Sequence, residues 1–427
     1  MKLLNKLSLK KNRNSNNKYK NFFHDKINAL KKIYKKNIVK NRTIFNIKEV
    51  VFVMLITFLF GMLIGGLIMF GKGKFRSDVS DSLNEFVDTY EDILDNYYEE
   101  IDANELMQAG IEGMISHLGD PYASYMNAEI ANNFNEEVEG EYTGIGAEII
   151  YSYATKVVSI GKVFENGPAE KAGLKTDDVL LEVEGESIEG LTNSEIADKV
   201  KGKKGTNVLI KIKREEKEME FSIKRDKVDI ESVFTKVYKE NGKKIGYIKI
   251  SIFAGNTAEQ FRNRLTELEK ENFDSLLIDI RSNTGGYLTT VTDIISMFTE
   301  KDSIIYQLST KGKIEKIKDE TKEKREYPVY VLTNGNSASA SEVLAAAIKE
   351  NYEGTILGTK TYGKGKVQKA YDLSNGAKIK YTFQEWLTPN GNSIDSVGVE
   401  PDIVIENIID KENNDNQLNA ALKEIAK

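Results

Sequence analysis

The longest apolar run of the chain covers residues 50–70, which are 21 residues without a charged side chain. As a helix this run would be about 31 Å long, enough to cross the hydrocarbon core of a bilayer. Residues 1–48 contain 15 Lys and Arg but only one acid, Asp25. Because positive charge stays on the cytoplasmic side, the pattern predicts a cytoplasmic tail at 1–48, one transmembrane anchor at 49–71 and an extracytoplasmic remainder in a single-pass cell-membrane protein.

Two other interpretations of the apolar run are weaker. A cleaved signal peptide would have a shorter apolar region followed by a small-x-small cleavage site, whereas Gly-Lys-Gly-Lys follows here at residues 71–74. A helix buried in a soluble core would normally show a polar face, and this run shows none.

Helical spacing dominates the next segment and predicts an N-terminal helical region at residues 77–140. Apolar residues recur three or four positions apart at Leu83, Phe86, Tyr90 and Leu94. A second periodic run at 106–118 ends where Gly-Asp-Pro occupies residues 119–121, a sequence that stops a helix.

Short apolar strands separated by glycines then predict a compact strand-rich domain at residues 141–228. A Gly-rich turn at 143–146 directly precedes an apolar strand. Gly167-Pro168 is suited to begin a short helix, and Gly173 to end it. A further helix is expected near 194–200, followed by a strand at 208–212.

Strands and helices alternate from residue 229 to residue 405, which predicts an α/β layer domain. Strands are expected at 245–251, 275–280 and 329–333, and helices at 257–270, 288–298 and 339–350. The lysine-rich stretch 311–325 is expected to be a solvated hairpin. Residues 406–427 are predicted to form a C-terminal helical region, either packed on the domain or forming a dimer surface.

Composition narrows the possible functions. Residues 1–76 carry a net charge of +16 and the remainder a net charge of −22, so the body of the protein is a poor candidate for binding nucleic acid. The 427 residues contain no Cys, which excludes thiol nucleophiles, disulfides and thiolate metal sites. His24 and His117 are the only histidines, and they lie in different segments. A Ser-His mechanism or a multi-His metal centre is therefore not expected.

Ser339 lies where a predicted strand, a small-residue loop and an Ala-rich helix meet. Two interpretations remain open from the local sequence. Ser339-Ala340-Ser341-Glu342 fits a capping box, in which Ser339 only caps the helix. A nucleophile at the same place would lie beside free N–H groups that can stabilise an oxyanion.

A nucleophilic serine in this chain needs a base other than histidine, and Lys364 is the candidate. A lysine can serve if burial lowers its pKa toward neutrality. Lys364 lies between Gly363 and Gly365, just after the apolar strand at 355–357, and glycines allow the backbone to pack closely around its side chain. A solvent-exposed lysine in a turn is the alternative, and spacing alone does not decide between them.

Several motifs together resemble known families. Residues 141–228 resemble a PDZ domain, through the turn at 143–146 and Gly-Pro-Ala-x-x-Ala-Gly-Leu at 167–174. The serine run and the segment Gly-Lys-Gly-Lys-Val-Gln at 363–368 resemble the carboxyl-terminal processing (tail-specific) peptidases. Further matching motifs are Gly-Asp-Pro-Tyr at 119–122, Trp-Leu-Thr-Pro-Asn-Gly at 386–391 and Gly-Val-Glu-Pro-Asp at 398–402.

The resemblance implies a fold and a function. The fold would be a ClpP/crotonase-like α/β peptidase core with an inserted PDZ domain, helical N- and C-terminal regions and one N-terminal transmembrane helix. The function would be serine endopeptidase cleavage of extracytoplasmic proteins at or near their C-termini, without a metal or other cofactor. Partners would be protein substrates with apolar C-termini, the membrane and a second copy of the chain as a homodimer, with no nucleic acid.

The resemblance also assigns roles to residues. Ser339 would be the nucleophile, favoured over Ser337 and Ser341 because the interval to the lysine is 25 residues, as in the family. Lys364 would be the base and Gln368 the residue that orients it. The oxyanion donors would be the N–H of Ala340 and that of Gly285 or Gly286, whereas an ordinary turn is the alternative for the two glycines.

The PDZ segment carries its own implied residues. The backbone N–H groups of Thr143, Gly144, Ile145 and Gly146 would hold a peptide carboxylate. Family members commonly have Arg at the position of Lys201, where lysine keeps the charge but loses the bidentate geometry, so a regulatory role at this position is in question. The competing function is a non-catalytic PDZ scaffold, which would have no reason to retain Ser339, Lys364 and Gln368 together.

Overall fold

The computed structural model describes residues 52–58, 60–61, 77–152, 156–406 and 414–427. The chain divides into two compact units, Met1–Leu106 and Met107–Lys427. Of the predicted anchor at 49–71, residues 52–58 and 60–61 are helical, and the rest of the anchor and the tail at 1–48 lie outside the described residues. Within the described parts of the chain, no helix has the length and apolarity needed to cross a membrane.

The predicted N-terminal helices are present as α1, Ser77–Asn96, and α2, Ala103–His117. The start of α2 is capped by Asp102, whose carboxylate accepts hydrogen bonds from the backbone N–H groups of Asn104 and Glu105. The Tyr90 hydroxyl of α1 donates to the Ala103 carbonyl at 2.7 Å. Strand β1, Ser124–Met126, helix α3, Ala128–Glu139, and strand β2, Glu141–Gly144, follow in the second unit.

The strand-rich domain predicted at residues 141–228 contains an antiparallel sheet in the order β3-β4-β5-β7-β8, with β6 paired to β5. Its helix α4, Pro168–Ala172, begins after Gly167 and ends at Gly173, whose φ of 92° a glycine adopts readily. The core under the sheet consists of inward-facing Ile, Leu and Val side chains. The remaining elements are β3 Ala147–Ser152, β4 Val157–Val163, β5 Val179–Val183, β6 Glu186–Ser187, α5 Asn193–Val200, β7 Asn207–Arg214 and β8 Lys217–Lys224.

A two-stranded ribbon joins this sheet to the α/β domain. Strand β2 enters the sheet, strand β9, Asp226–Asp229, leaves it, and the two strands pair antiparallel from Glu141 opposite Asp229 to Gly144 opposite Asp226. The small sheet is therefore an insertion held at both ends by one ribbon.

The α/β domain contains a six-stranded sheet in the order β10-β11-β12-β15-β16-β19, parallel except for the edge strand β10. Parallel strands are covered on both faces, which explains why all five residues of β12 are buried. The strands are β10 Val233–Glu240, β11 Lys243–Ile250, β12 Ser275–Asp279, β15 Val329–Thr333, β16 Thr355–Gly358 and β19 Ile403–Val404.

Helices cover both faces of this sheet. The larger core lies on the face covered by α6, Thr257–Glu269, α7, Leu288–Ile295, and α8, Ala340–Asn351. On the other face, Leu277, Leu332 and Leu357 pack against the C-terminal helix α9, Asn416–Ile425. Because successive side chains of a strand point to opposite faces of the sheet, the same strands contribute apolar side chains to both cores.

A second sheet lies beside the first and consists of β1-β18-β13-β14, with β17 also paired to β18. Its strands are β13 Ile304–Thr310, β14 Lys313–Lys318, β17 Lys366–Asp372 and β18 Lys378–Leu387. The predicted solvated hairpin at 311–325 is present only in part, since β14 ends at Lys318 and the hairpin begins earlier, in β13. This sheet is important for the site because β17 begins two residues after Lys364.

Candidate active site

Ser339 occupies a strained position at the start of α8. Its φ is +56° and its ψ is −118°, a backbone conformation that residues other than glycine seldom adopt and that costs about 1–3 kcal/mol. Such strain is typical of functional turns between a strand and a helix. Ser339 holds the helix N-cap position, and the capping box that the sequence predicted is present: the Ser339 N–H donates to the Glu342 carboxylate, and the Ser339 side chain faces the Glu342 N–H.

The two neighbouring serines have structural hydrogen bonds. The Ser337 hydroxyl donates to the Ile280 carbonyl at 2.8 Å, and the Ser341 hydroxyl donates to the Asn283 carbonyl at 2.8 Å; both residues are fully buried. Ser339 is only partly buried, and within the described chain its hydroxyl donates no hydrogen bond. Of the three serines in this run, Ser339 is the one whose oxygen is available to a substrate.

Glu342 connects the serine to the lysine segment. This carboxylate is completely buried, and its Oε2 accepts the backbone N–H of Ser339 and that of Lys364, each at 2.8 Å. The two backbone nitrogens are therefore no farther apart than twice that distance. Oε1 accepts the Gly363 N–H at 2.7 Å and the Thr361 hydroxyl at 2.6 Å. Four donors compensate the burial of the charge and fix the two loops relative to each other.

The Lys364 side chain is half-buried and lies over an aromatic ring. Its Nζ is 4.8 Å from the centre of the Tyr122 ring. The backbone carbonyl of Lys364 accepts the indole N–H of Trp386 at 2.9 Å. Burial lowers the pKa of the Lys364 amine, repulsion from Lys380 lowers that pKa further, and attraction to Glu342 and Asp120 opposes the shift. The alternative of a fully solvated turn lysine does not describe this environment.

The side chains of Ser339, Lys364 and Gln368 are not joined by hydrogen bonds in the described chain. Gln368 lies at a register shift in the pairing of β17 with β18, where a bulge redirects side chains. Its amide donates to the Lys366 carbonyl at 3.1 Å and to the Thr382 hydroxyl at 3.3 Å. The backbones of the nucleophile and base candidates are thus brought together, while their functional atoms are not in contact.

The glycine loop after β12 lies directly against Ser339. A Cβ added to Gly285, whose φ is +110°, would be 2.8 Å from the Ser339 Cβ and 3.1 Å from the Ala340 nitrogen. The Gly285 N–H is already bonded to the Asn283 side chain at 2.9 Å. The N–H groups of Gly286, in the glycine loop, and of Ala340, which follows Ser339 in the chain, have no acceptor among the described residues.

The predicted peptide loop of the small domain lies beside a groove between β3 and α5. Thr143 and Gly144 end β2, and Ile145 and Gly146 form the turn into β3. A cavity of about 350 Å³ is lined by Gly144, Ile145 and Lys201 together with the apolar side chains of Ile149, Ala197 and Val200. Thr143 and Gly146 are not among the residues lining this cavity.

Lys201 lines this groove and forms an ion pair. Its ammonium is 2.7 Å from a carboxylate oxygen of Glu136 on α3 and 5.8 Å from the centre of the Tyr142 ring. Burial raises the pKa of Tyr142 to about 12, so its hydroxyl is protonated at neutral pH. Lys201 therefore connects the groove to the helix that precedes the ribbon.

Sequence reasoning missed three residues of the site. Glu342 was recognised only as part of a capping box, Tyr122 only as part of a motif, and Lys380 was not considered. The motif at 119–122 was the available signal for Tyr122, since Asp120 ties this loop to β18 by accepting the Thr382 N–H at 2.9 Å. Nothing in the local sequence around Lys380 indicated that its charge acts on Lys364.

Comparison with known proteins assigns the family. Residues 244–405 match peptidase family S41, residues 160–214 match the PDZ domain, and residues 70–130 match the N-terminal domain of the activating protease CtpB. The chain is 39% identical over 333 residues to the carboxy-terminal processing protease CtpB of Bacillus subtilis, covering 77% of this chain and 69% of that protein. A probable CtpA-like serine protease of Staphylococcus haemolyticus is 36% identical over 319 residues, covering 74% and 63% of the two chains.

Among solved structures, the photosystem II D1 C-terminal processing protease is 27% identical, with a TM-score of 0.45 and coverage of 76% of this chain and 88% of that one. The sequence relatives carry the assignment, and they favour a peptidase over a non-catalytic PDZ scaffold. The chain belongs to the carboxyl-terminal processing peptidases of family S41 and is a serine-type protease with a PDZ domain.

Proposed function

We propose that this peptidase cleaves its substrates through an acyl-enzyme formed on Ser339, with Lys364 as the general base. The observation that carries the proposal is the shared carboxylate of Glu342, which holds the backbones of both residues within one hydrogen-bonded cluster. The lowered pKa of Lys364 supports it, because a base must be neutral to accept a proton.

The reaction would proceed in two halves. The neutral Lys364 amine removes the proton from the Ser339 hydroxyl as the oxygen attacks the scissile carbonyl carbon. The resulting ammonium then protonates the departing amine as the C–N bond breaks, which leaves an ester on Ser339. In the second half, Lys364 removes a proton from water, the hydroxide attacks the ester, and the serine leaves with the proton returned by the lysine.

The free N–H groups of Ala340 and Gly286 are the proposed donors to the oxyanion of both tetrahedral intermediates. Ala340 is the first residue of α8, and Gly286 follows Gly285 in the glycine loop. Gly285 would act by close packing rather than as a donor, because Asn283 occupies its N–H. An oxyanion donor of this kind contributes a factor of about 10²–10³ to the rate.

We propose that the described conformation is one in which the base is displaced. The Lys364 amine lies over Tyr122, and a rotation of its side chain would be required to bring it to the Ser339 hydroxyl. Gln368 would orient the amine in that second conformation, since its amide oxygen has no hydrogen bond in the described chain. We propose that substrate binding favours the rotation.

We further propose that the groove between β3 and α5 binds the apolar C-terminus of a protein substrate, with its carboxylate at the turn of residues 143–146. The apolar lining from Ile149, Ala197 and Val200 supports an apolar tail, and the exposed edge of β3 can accept an added strand. The enzyme would be held at the cell membrane by residues 49–71, with its catalytic part outside the cytoplasm and a second copy completing a homodimer.

The test uses the full 427-residue chain in detergent and a quenched peptide whose last three residues are apolar. We expect Ser339→Ala and Lys364→Ala each to lower kcat/KM by about 10³-fold or more. Lys360→Ala is the matched control, because this nearby lysine pairs with Glu400 at the surface. Full activity in both active-site variants would exclude the proposed mechanism.

The same assay tests the role of the groove. Replacing the carboxyl terminus of the peptide with an amide, or its apolar tail with acidic residues, should raise KM and leave kcat unchanged. Equal KM values for all three peptides would contradict C-terminal recognition.

A further inference from the structure

Asn283 is a fully buried polar residue in the glycine loop that follows β12. Its side-chain oxygen accepts the Gly285 N–H at 2.9 Å, and its side-chain nitrogen donates to the carbonyl of Ile250, the last residue of β11, at 3.0 Å. Reversing the amide would set donor against donor and acceptor against acceptor, so these two bonds fix its orientation. The side chain therefore ties the glycine loop to an inner strand of the parallel sheet.

The backbone of Asn283 is bonded to the segment that contains Ser339. Its carbonyl accepts the Ala338 N–H at 3.0 Å and the Ser341 hydroxyl at 2.8 Å. Asparagine side chains often bond to an N–H of their own turn, and such turns usually lie at the protein surface. Complete burial and bonds to two further segments distinguish Asn283 from an ordinary turn residue.

The glycine loop carries one of the two proposed oxyanion donors. The Gly286 N–H has no acceptor among the described residues. Its neighbour Gly285 lies so close to the serine segment that an added Cβ would be 2.8 Å from the Ser339 Cβ and 3.1 Å from the nitrogen of Ala340, the second proposed donor. The placement of the two donors relative to each other therefore depends on where Gly285 is held, and the Asn283 side chain holds its N–H.

We propose that Asn283 is a positioning residue that acts through the glycine loop, holding the Gly286 N–H where it can donate to the oxyanion formed on the substrate. The inference rests on the proposed function, and it assigns Asn283 no contact with the substrate. Without the Asn283 side chain, the Gly285 N–H would lose its acceptor, and the loop would shift to find another. A displacement of about 1 Å in a catalytic site can lower the rate about 10²-fold.

The test compares Asn283→Leu with wild type, using the full chain in detergent and the quenched peptide. Leucine has a similar size and removes both side-chain hydrogen bonds. We expect kcat to fall about 10²-fold or more and KM to change by less than about twofold, because an oxyanion donor acts on the transition state and not on the bound peptide. An unchanged kcat would overturn the inference.

A peptide aldehyde and the corresponding peptide alcohol measure the oxyanion contact separately. The Ser339 oxygen bonds to the aldehyde carbon and its proton passes to Lys364, which leaves the former carbonyl oxygen negatively charged in the place of the oxyanion. The alcohol cannot form this bond. In Asn283→Leu, inhibition by the aldehyde should weaken by the same factor as kcat/KM, while inhibition by the alcohol should stay as in wild type. Equal weakening of both would mean a general distortion of the site and would contradict the inference.

Asn351→Leu is the matched control. Asn351 is the last residue of α8, at the end opposite Ser339, and its side chain donates to the Ile304 carbonyl at 2.8 Å. This variant loses the same kind of hydrogen bond, but its kcat and the ratio of its two inhibition constants should equal those of wild type. A fall in kcat as large as that of Asn283→Leu would show that the effect is not specific to the glycine loop, and the inference would fail.

The outcomes separate this inference from the proposed function. If Asn283→Leu retained its kcat while Ser339→Ala and Lys364→Ala were inactive, the proposed mechanism would stand and the role of Asn283 would be excluded. Full activity of Ser339→Ala would overturn both, because no oxyanion would form on a serine ester. Asn283→Ala removes the same two bonds without adding apolar bulk, and it replaces Asn283→Leu if circular dichroism shows that the latter does not fold.

Discussion

At the scale of single residues, hydrogen bonding and backbone conformation distinguish the candidate nucleophile from its neighbours. Ser337 and Ser341 donate to carbonyl groups, whereas Ser339 has a strained backbone and a hydroxyl that donates to no group in the described chain. The spacing of 25 residues to Lys364 selected the same serine from the sequence. The sequence could not predict that Glu342 accepts hydrogen bonds from both segments, because this depends on how loops distant in the sequence meet.

The close approach of the glycine loop gives a residue-scale prediction. Gly285→Ala should lower the rate of Ser339 acylation by about 10²-fold or more, because the added Cβ would meet the Ser339 Cβ at 2.8 Å and the Ala338 oxygen at 2.9 Å. Gly312→Ala is the matched control, since Gly312 also has a positive φ, of 82°, but has no atoms within 4 Å of the added Cβ. Similar acylation rates in the two variants would contradict a packing role for Gly285.

At the scale of elements, the C-terminal helix is tied to the strand that leads into the glycine loop. Asp415 caps α9 by accepting the Leu418 N–H at 2.9 Å. It also pairs with Arg281 at 2.7 Å, and Arg281 in turn pairs with the fully buried Asp279 at the end of β12. Helix α9 was predicted from its sequence, but its face of the sheet and this link were not, because both depend on contacts with residues far away in the chain.

This link gives a prediction for pH. The hydrogen bond from Arg281 holds the pKa of Asp415 below its ordinary value. The ion pair therefore stabilises the fold at any pH above the pKa that Asp415 has in the unfolded chain. This stabilisation is lost as the pH falls through the lower pKa that Asp415 has in the folded protein. Asp415→Asn keeps the cap and removes the charge. At neutral pH we expect it to lower the free energy of unfolding by about 1 kcal/mol or less, because Asp415 is partly exposed.

Urea unfolding followed by the fluorescence of Trp386 measures this difference, because Trp386 is the single tryptophan and is buried. The difference between Asp415→Asn and wild type should shrink as the pH is lowered below about 3.9. Glu424→Gln on the same helix is the control, and it should show less pH dependence. A difference that stays constant in acid would exclude the ion pair as its source.

At the scale of the whole molecule, the inserted domain and the peptidase core have separate hydrophobic cores and share one ribbon. The groove proposed to bind a peptide and the candidate catalytic residues therefore belong to different parts of the same unit. An arrangement of this kind allows recognition of a tail at one place and cleavage at another. The position of the whole enzyme in the cell depends on the predicted anchor at 49–71.

The anchor gives a prediction for the full chain. Expressed in bacterial cells, it should remain in the membrane pellet after carbonate extraction, and protease added to spheroplasts should digest the catalytic part while sparing the basic tail. A chain that begins at residue 77 is the comparison, and it should be released. Extraction of the full chain by carbonate would contradict the anchor, and light scattering of the solubilised chain would decide whether it is a homodimer.

The sequence by itself determined the class of many elements and the family, because periodicity, glycine punctuation and motif spacing are properties of adjacent residues. It also restricted the chemistry, since without Cys and with two distant His few bases other than lysine remained. Only the tertiary structure decided which groups surround that lysine. Tyr122, Glu342 and Lys380 act on Lys364 from three segments that are far apart in the sequence. The electrostatic field at its half-buried amine depends on distances in space that no local pattern encodes.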